Sequence, residues 1–306
     1  MSLHDAKPVY KWAGGKGQLL PQFEALYPKK LLNNEIKAYV EPFVGGGAVF
    51  FELVKRFNFD RIVLNDINEV LILTYMVIRD NVDSLIRTLS DLEKKYLALK
   101  ADDRKKKYYE IRDKFNEEKK KIDYSQIDSA SVLHVAHSIF LNRTCFNGLY
   151  RLNKKGEFNV PVGQYTNPTI CNEQNLRNVS HALNGVKLLC GDFEEVTDFI
   201  DKDTFVYIDP PYRPLNVTSS FNSYQIDDFD DESQERLANW FRKLDKKKNA
   251  LIMLSNSNPK NTNPDDDFFE RLYSGYNITE VSASRQINSK SSLRGQISEL
   301  LIRNYD

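Results

Sequence analysis

Sulfur is scarce in this chain. Three cysteines in 306 residues, Cys145, Cys171 and Cys190, form no CxxC pair and are odd in number, which argues against a zinc ribbon and against a disulfide framework. Histidine is scarcer than an enzyme built on metal ligands would want. His134 and His137 lie three apart in an apolar helical stretch, His4 and His181 stand alone, and no ligand set is expected from them. No window approaches the roughly 20 apolar residues of a membrane span. The opening MSLHDAKPVYKW has neither the apolar run nor the small-residue cleavage site of a secretory signal, so a cytoplasmic protein without a membrane partner is expected. Excess charge is missing too. Lys plus Arg and Asp plus Glu number 43 each, so a polyanionic partner would have to be met by a local patch.

What the chain does have is order along its length. Short apolar runs bounded by turn residues alternate with amphipathic stretches, the pattern of a mostly parallel sheet covered by helices, and an α/β fold follows. The candidate strands are Ala38 to Pro42, Arg61 to Asn65, Val186 to Cys190, Thr204 to Ile208 and Ala250 to Ser255, with β-like segments at Ile278 to Ser284 and Ile297 to Arg303. Residues 69–185 differ in character and read as a mainly helical insertion, leaving 1–68 and 186–306 to carry the sheet. Within the insertion, 102–121 mixes charges of both signs so densely that it is a solvated helix or a mobile arm, the helix being preferred. Residues 141–165, LNRTCFNGLYRLNKKGEFNVPVGQY, mix Asn, Gly, basic and aromatic residues without core periodicity. An ordered loop that presents side chains to a ligand has that composition, and so does a surface hairpin.

Three further segments carry chemistry. FVGGG, residues 43–47, lies between a strand and the helix-like AVFFELVKR. Phe43, Gly45 and Gly47 there either let the backbone approach a ligand beside free helix N–H groups or make a tight turn. The next strand ends at Asp66, where a carboxylate is placed to accept from a ribose diol. The spacing lacks GxGxxG, so NAD is the poorer choice. KWAGGK, residues 11–16, lacks the phosphate-loop pattern; Lys16 and Trp12 either meet a cofactor's carboxylate and apolar part or begin a capped helix. DPPY, Asp209 to Tyr212, directly follows the apolar run TFVYI. An exocyclic amine on adenine is a weak nucleophile because its lone pair is delocalised. The Asp209 carboxylate and the Pro210 carbonyl can each accept one of its N–H groups, the prolines fixing that carbonyl. Tyr212 can stack on a base taken out of its duplex.

KWAGGK, EPFVGGGAVFF, LNDIN, FNGLYR, GEFNVP, GDF and DPPY occur in the order shown by the Dam family of DNA adenine methyltransferases, and the chain resembles the DpnII-type GATC enzymes within it. The tail, MLSNS and RQINSKSSLRGQISELLIRNY, resembles that family's closing strands, so the likeness covers nearly the whole chain. The resemblance implies a Rossmann-like, S-adenosylmethionine-dependent methyltransferase sheet with residues 69–185 inserted as a target-recognition domain. It implies transfer to adenine N6 in double-stranded DNA, with GATC as target. Cofactor contacts are implied for Trp12, Lys16, Asp66 and Asp209, with Asp192 at the cofactor adenine and Phe193 stacking near it. Phe146 resembles the aromatic that wedges into the base stack, Asn147 a phosphate or base contact, Arg151 the arginine that reads a guanine, and Lys11 a lysine near the first guanine. Arginine is the commonest bidentate partner of guanine, and Arg143, Lys154 and Lys155 would add phosphate contacts. A monomer or weak dimer completes the expectation, and the sequence leaves open a cognate restriction endonuclease encoded nearby, an orphan enzyme or a phage-borne one. An RNA adenine methyltransferase and a non-catalytic DNA-binding relative are the alternatives.

Overall fold

The computed structural model describes residues 6–12, 14–213, 229–284 and 296–306. The strands are β1 (Ala38–Glu41), β2 (Arg61–Asp66), β3 (Lys187–Cys190), β4 (Thr204–Ile208), β5 (Leu251–Ser257), β6 (Asn277–Ser284) and β7 (Gln296–Arg303). They form one sheet in the order β3-β2-β1-β4-β5-β7-β6. The first five run parallel, and β7 is antiparallel to both β5 and β6. This is the expected Rossmann-like α/β sheet, and each anticipated strand lies within two residues of its expected bounds. The basic stretch 285–294, which the sequence offers for phosphate contact, lies outside the described residues.

The helices are α1 (Leu20–Phe23), α2 (Lys29–Leu32), α3 (Ala48–Arg56), α4 (Glu69–Leu97), α5 (Ala101–Glu118), α6 (Ser129–Thr144), α7 (Glu173–Ala182), α8 (Asp231–Lys243) and α9 (Phe268–Leu272). None of the described helices is long and apolar enough to cross a membrane. Alternation along the strands divides the core into two layers, because successive side chains on a strand point to opposite faces. Val40, Val63, Val206, Ile208, Ile252 and Leu254 face one layer with Leu237, Trp240 and Phe241 of α8. Tyr39, Leu64, Phe205, Tyr207 and Met253 face the other, which continues without a break into α3, α4 and α6. Burying such a side chain contributes roughly 1.5–3 kcal/mol.

Between β2 and β3 the chain passes through α4 to α7. α4 begins where the Asn68 side chain accepts from Leu71 N–H at 3.1 Å, a donor that the first helical turn leaves unpaired. It is interrupted at Asn81, whose φ of −146° is non-helical. The charge-dense segment is helix α5. Tyr108, Ile111 and Phe115, spaced 3 and 4 apart, are buried while most of the remainder faces solvent. α6 starts on a capping box between Asp128 and Ser131 and is buried along most of its length.

Candidate active site

In an open parallel sheet, ligands bind beyond the carboxyl ends of the strands, where the order reverses. Here that point is between β1 and β4, which are neighbours in the sheet although 162 residues of chain lie between Glu41 and Thr204. The tips of β1, β2 and β4 bring together the FVGGG loop, Asp66 and DPPY. Asn65, fully buried, donates from Nδ2 to Pro42 O and to Gly191 O, each at 3.0 Å, and so ties the ends of β1, β2 and β3 to one another.

Lys16 is the unusual residue. It is only 3% exposed, and a buried ammonium needs counter-charges. Its Nζ lies 2.8 Å from Asp209 Oδ1 and 3.5 Å from Glu299 Oε2, and it also donates to Gly14 O at 3.2 Å and to the Tyr212 hydroxyl. The Tyr212 hydroxyl in turn donates to Glu299 Oε2 at 2.7 Å, and the ammonium sits 4.6 Å from the Tyr212 ring centre. Asp209 Oδ1 takes a second hydrogen bond, 3.0 Å, from Ser255 Oγ. Burial pushes the Asp209 carboxyl above its ordinary range against the pull of the Lys16 ammonium. The loop itself is braced from behind. Gln234 donates to Pro211 O at 3.1 Å and accepts from Asn256 at 3.1 Å, both side chains being fully buried.

The glycine loop and Asp66 also meet. Gly45 N–H donates to Asp66 Oδ2 at 2.9 Å and Asn68 N–H to Oδ1 at 3.0 Å, and burial raises the Asp66 carboxyl. Gly47 adopts φ +73° as the residue before α3, and a Cβ on it would meet Phe51 at 3.0 Å and the Tyr75 hydroxyl at 3.1 Å. Only glycine takes that conformation in that space without strain. Trp12 stacks on Tyr150 at 5.2 Å and lies close against Gly45 and Gly46. Phe43 packs on Phe193 at 5.4 Å. Phe193 is buried, with Trp240 at 5.3 Å and the Arg236 guanidinium 4.3 Å from its ring centre. Asp192 caps the turn that follows it and is paired with Arg236.

The other expected contacts lie on the loop after α6, at the end of α6 itself for Arg143 and in the N-terminal segment for Lys11. Phe146 is 51% exposed, Asn147 has φ +57°, and Lys154 and Lys155 are exposed. Arg151 donates from Nε to Asn159 Oδ1 at 2.8 Å. Lys11 Nζ lies 5.1 Å from the ring centre of Tyr165. Arg143 points inward by at least one of its donors, from Nη2 to Val9 O at 2.6 Å. The loop is tied to the N-terminal segment through Asn142, fully buried, whose Oδ1 accepts from Lys11 N–H at 2.9 Å while its Nδ2 donates to Lys11 O and Gly148 O at 3.2 and 2.9 Å.

Sequence reasoning missed Glu41, Asn65, Gln234, Ser255 and Glu299. Glu41, buried at the end of β1, accepts from the Tyr39 hydroxyl at 2.7 Å, and burial raises its carboxyl. The available signal was a polar residue inside an apolar pattern. Gln234 stands on the stripe of Leu237, Ala238 and Phe241, and Glu299 interrupts the strand ISELLIR. Ile67 was missed for the opposite reason, as a large apolar side chain 69% exposed directly after Asp66, an apolar surface at the mouth of the strand tips.

A family model described as D12 class N6 adenine-specific DNA methyltransferase matches residues 12–287. The chain is 53% identical over 302 residues to the Type II methyltransferase M.MjaIII of Methanocaldococcus jannaschii, covering 98% of this chain and 100% of that protein. It is 38% identical over 307 residues to the Type II methyltransferase M1.LlaDCHI of Lactococcus lactis subsp. cremoris, covering 98% and 95%. It is 33% identical over 297 residues to a DNA adenine methylase of Haemophilus influenzae, covering 96% and 92%.

Proposed function

The chain belongs to the D12 class of N6 adenine-specific DNA methyltransferases, and on that footing we propose that it everts adenine from double-stranded DNA at GATC and methylates it with S-adenosylmethionine. The observation that carries the reading is the meeting of Lys16, Asp209 and Tyr212 beside the glycine loop, at the sheet's reversal point. The residues suit the cofactor chemically. The glycine-lined loop gives the backbone close approach, Ile67 offers an apolar surface for a base, and Asp66 a carboxylate for a ribose. Phe43, Gly45, Gly47, Trp12 and Lys16 would hold the remainder, with Asp192 and Phe193 towards the cofactor's adenine once Arg236 yields. When bound, S-adenosylmethionine supplies an electrophilic methyl on a sulfonium.

The chain's own work is to prepare the amine. A carboxylate has about four lone-pair sites. Lys16 and Ser255 both meet Oδ1 of Asp209, which fixes the group and leaves acceptor capacity for one N–H of adenine. The Pro210 carbonyl takes the other, Gln234 holding the adjoining peptide still. Tyr212 stacks on the everted base. Residues 69–185 act as the target-recognition unit, with Phe146 as wedge and Asn147 and Arg151 facing bases or phosphates, joined by Lys11 from the N-terminal segment. Lys154 and Lys155 supply phosphate contacts, and so does Arg143 through donors other than that to Val9. The enzyme works in the cytoplasm, paired with a restriction endonuclease of the same specificity.

Incubation with tritiated S-adenosylmethionine and duplexes differing only at GATC tests this. Label should appear in N6-methyladenine of the GATC duplex alone, and Asp209→Ala should lower kcat by at least ~10²–10³-fold while DNA affinity stays within a few-fold. Equal transfer to altered duplexes would remove the GATC assignment. Preference for single-stranded RNA would favour an RNA substrate, recognised through the 2′-hydroxyl.

A further inference from the structure

Glu299 sits on β7, outside the parallel part of the sheet, opposite Ser257 of β5 and Val281 of β6. At 8% exposure an ionised carboxylate is costly unless its charge is used. Its Oε2 accepts from the Tyr212 hydroxyl at 2.7 Å and lies 3.5 Å from Lys16 Nζ, the same ammonium that meets Asp209 at 2.8 Å. One positive charge therefore serves two carboxylates, and Ser255 and Tyr212 contribute hydrogen bonds but no charge. The next cation along the loop, Arg213, is taken up by Asp231 and Asp266. Among the described residues the centre is left with excess negative charge.

We propose that Glu299 is a specificity-determining residue that gives the methyl-donor pocket its excess negative charge and thereby favours a cationic sulfonium over the uncharged thioether left after transfer. The inference rests on the sulfonium cofactor assigned above. In the reaction the S–CH3 bond breaks, an N–CH3 bond forms at N6, and the surplus N6 proton leaves to solvent. The cofactor loses its positive charge in that step while its amino-acid and nucleoside parts are unchanged. Attraction that held the reactant is thus absent for the product, which assists its release.

The test is calorimetric titration of S-adenosylmethionine and of S-adenosylhomocysteine into the wild-type protein and its variants, with thermal unfolding as a check on folding. The quantity compared is the ratio of Kd for the thioether to Kd for the sulfonium. Glu299→Gln should lower that ratio about tenfold, the order expected for one unit charge roughly 12 Å away at an effective dielectric of about 20. Glu299→Asp, which keeps the charge, should hold the ratio within about twofold of wild type. Lys16→Met should raise it, and gives an independent reading if Glu299→Gln fails to fold. Equal weakening of both ligands in Glu299→Gln, or loss of the ratio in Glu299→Asp to the same extent, would reduce Glu299 to a structural part. Failure of the wild-type protein to bind either ligand would instead remove the cofactor assignment, and this proposal with it.

Discussion

Arg151 shows how little a side chain's type says until its neighbours are known. Its Nε is engaged by Asn159 at 2.8 Å, so the guanidinium plane is set by a residue eight positions away across the loop. A guanidinium already oriented by its neighbours loses less entropy when it binds than a freely rotating one. Arg151→Ala should therefore relax discrimination between the proposed GATC target and sites altered at one base pair, by about 1–3 kcal/mol, while lowering affinity for unrelated DNA far less. Competition binding across single-base variants reads this directly, and unchanged discrimination would remove Arg151 from base recognition. Neighbours also decide the residues at the strand tips. The positions of Asp209 and Asp66 were legible because motif and strand end coincide in sequence. Glu299 and Gln234 were not, since their partners lie 87 and 23 residues away.

The helix pair α5 and α6 is joined by an arrangement of the same kind. His137 Nδ1 lies 2.9 Å and His134 Nδ1 3.4 Å from Glu118 Oε2, and His134 stacks on Phe115 at 4.5 Å. The histidines, spaced like a ligand pair, are spent on holding one helix to the next. Burial pushes the Glu118 carboxyl up, but the two imidazole hydrogen bonds outweigh it and hold it down at about 2. Because that value lies below the ordinary 4.5, the stabilisation is complete above about pH 4.5 and is lost as pH falls towards 2. Glu118→Gln should accordingly cost on the order of 2 kcal/mol at pH 7, and the gap from wild type should shrink with acidification. Urea unfolding at pH 7, 4 and 3 measures it, and a gap that widened in acid would contradict the assignment. The charge pattern of α5 announced a solvated helix, and its buried face of Tyr108, Ile111 and Phe115 lies in the one periodicity those charges leave free.

In the whole molecule, one apolar layer runs from the sheet into α3, α4 and α6, and Asn142 crosses it to hold Lys11 and Gly148 together. A buried amide so placed leaves several partners unsatisfied when removed. Asn142→Leu should lower stability by roughly 2–4 kcal/mol and, with the core continuous, unfold in a single transition. Two separate transitions by calorimetry would mean that the helical region folds apart from the sheet. The sequence by itself determined the strands, the helices and the motifs at strand ends, because period and turn chemistry are local properties written in consecutive residues. Only the tertiary structure decided that β7 delivers a carboxylate to Lys16, that Asn65 laces three strand tips and that Asn142 links the loop at Gly148 to Lys11. Those contacts join residues far apart in the chain, and their partners are chosen by the order of strands in the sheet and by the cost of burying a polar group alone.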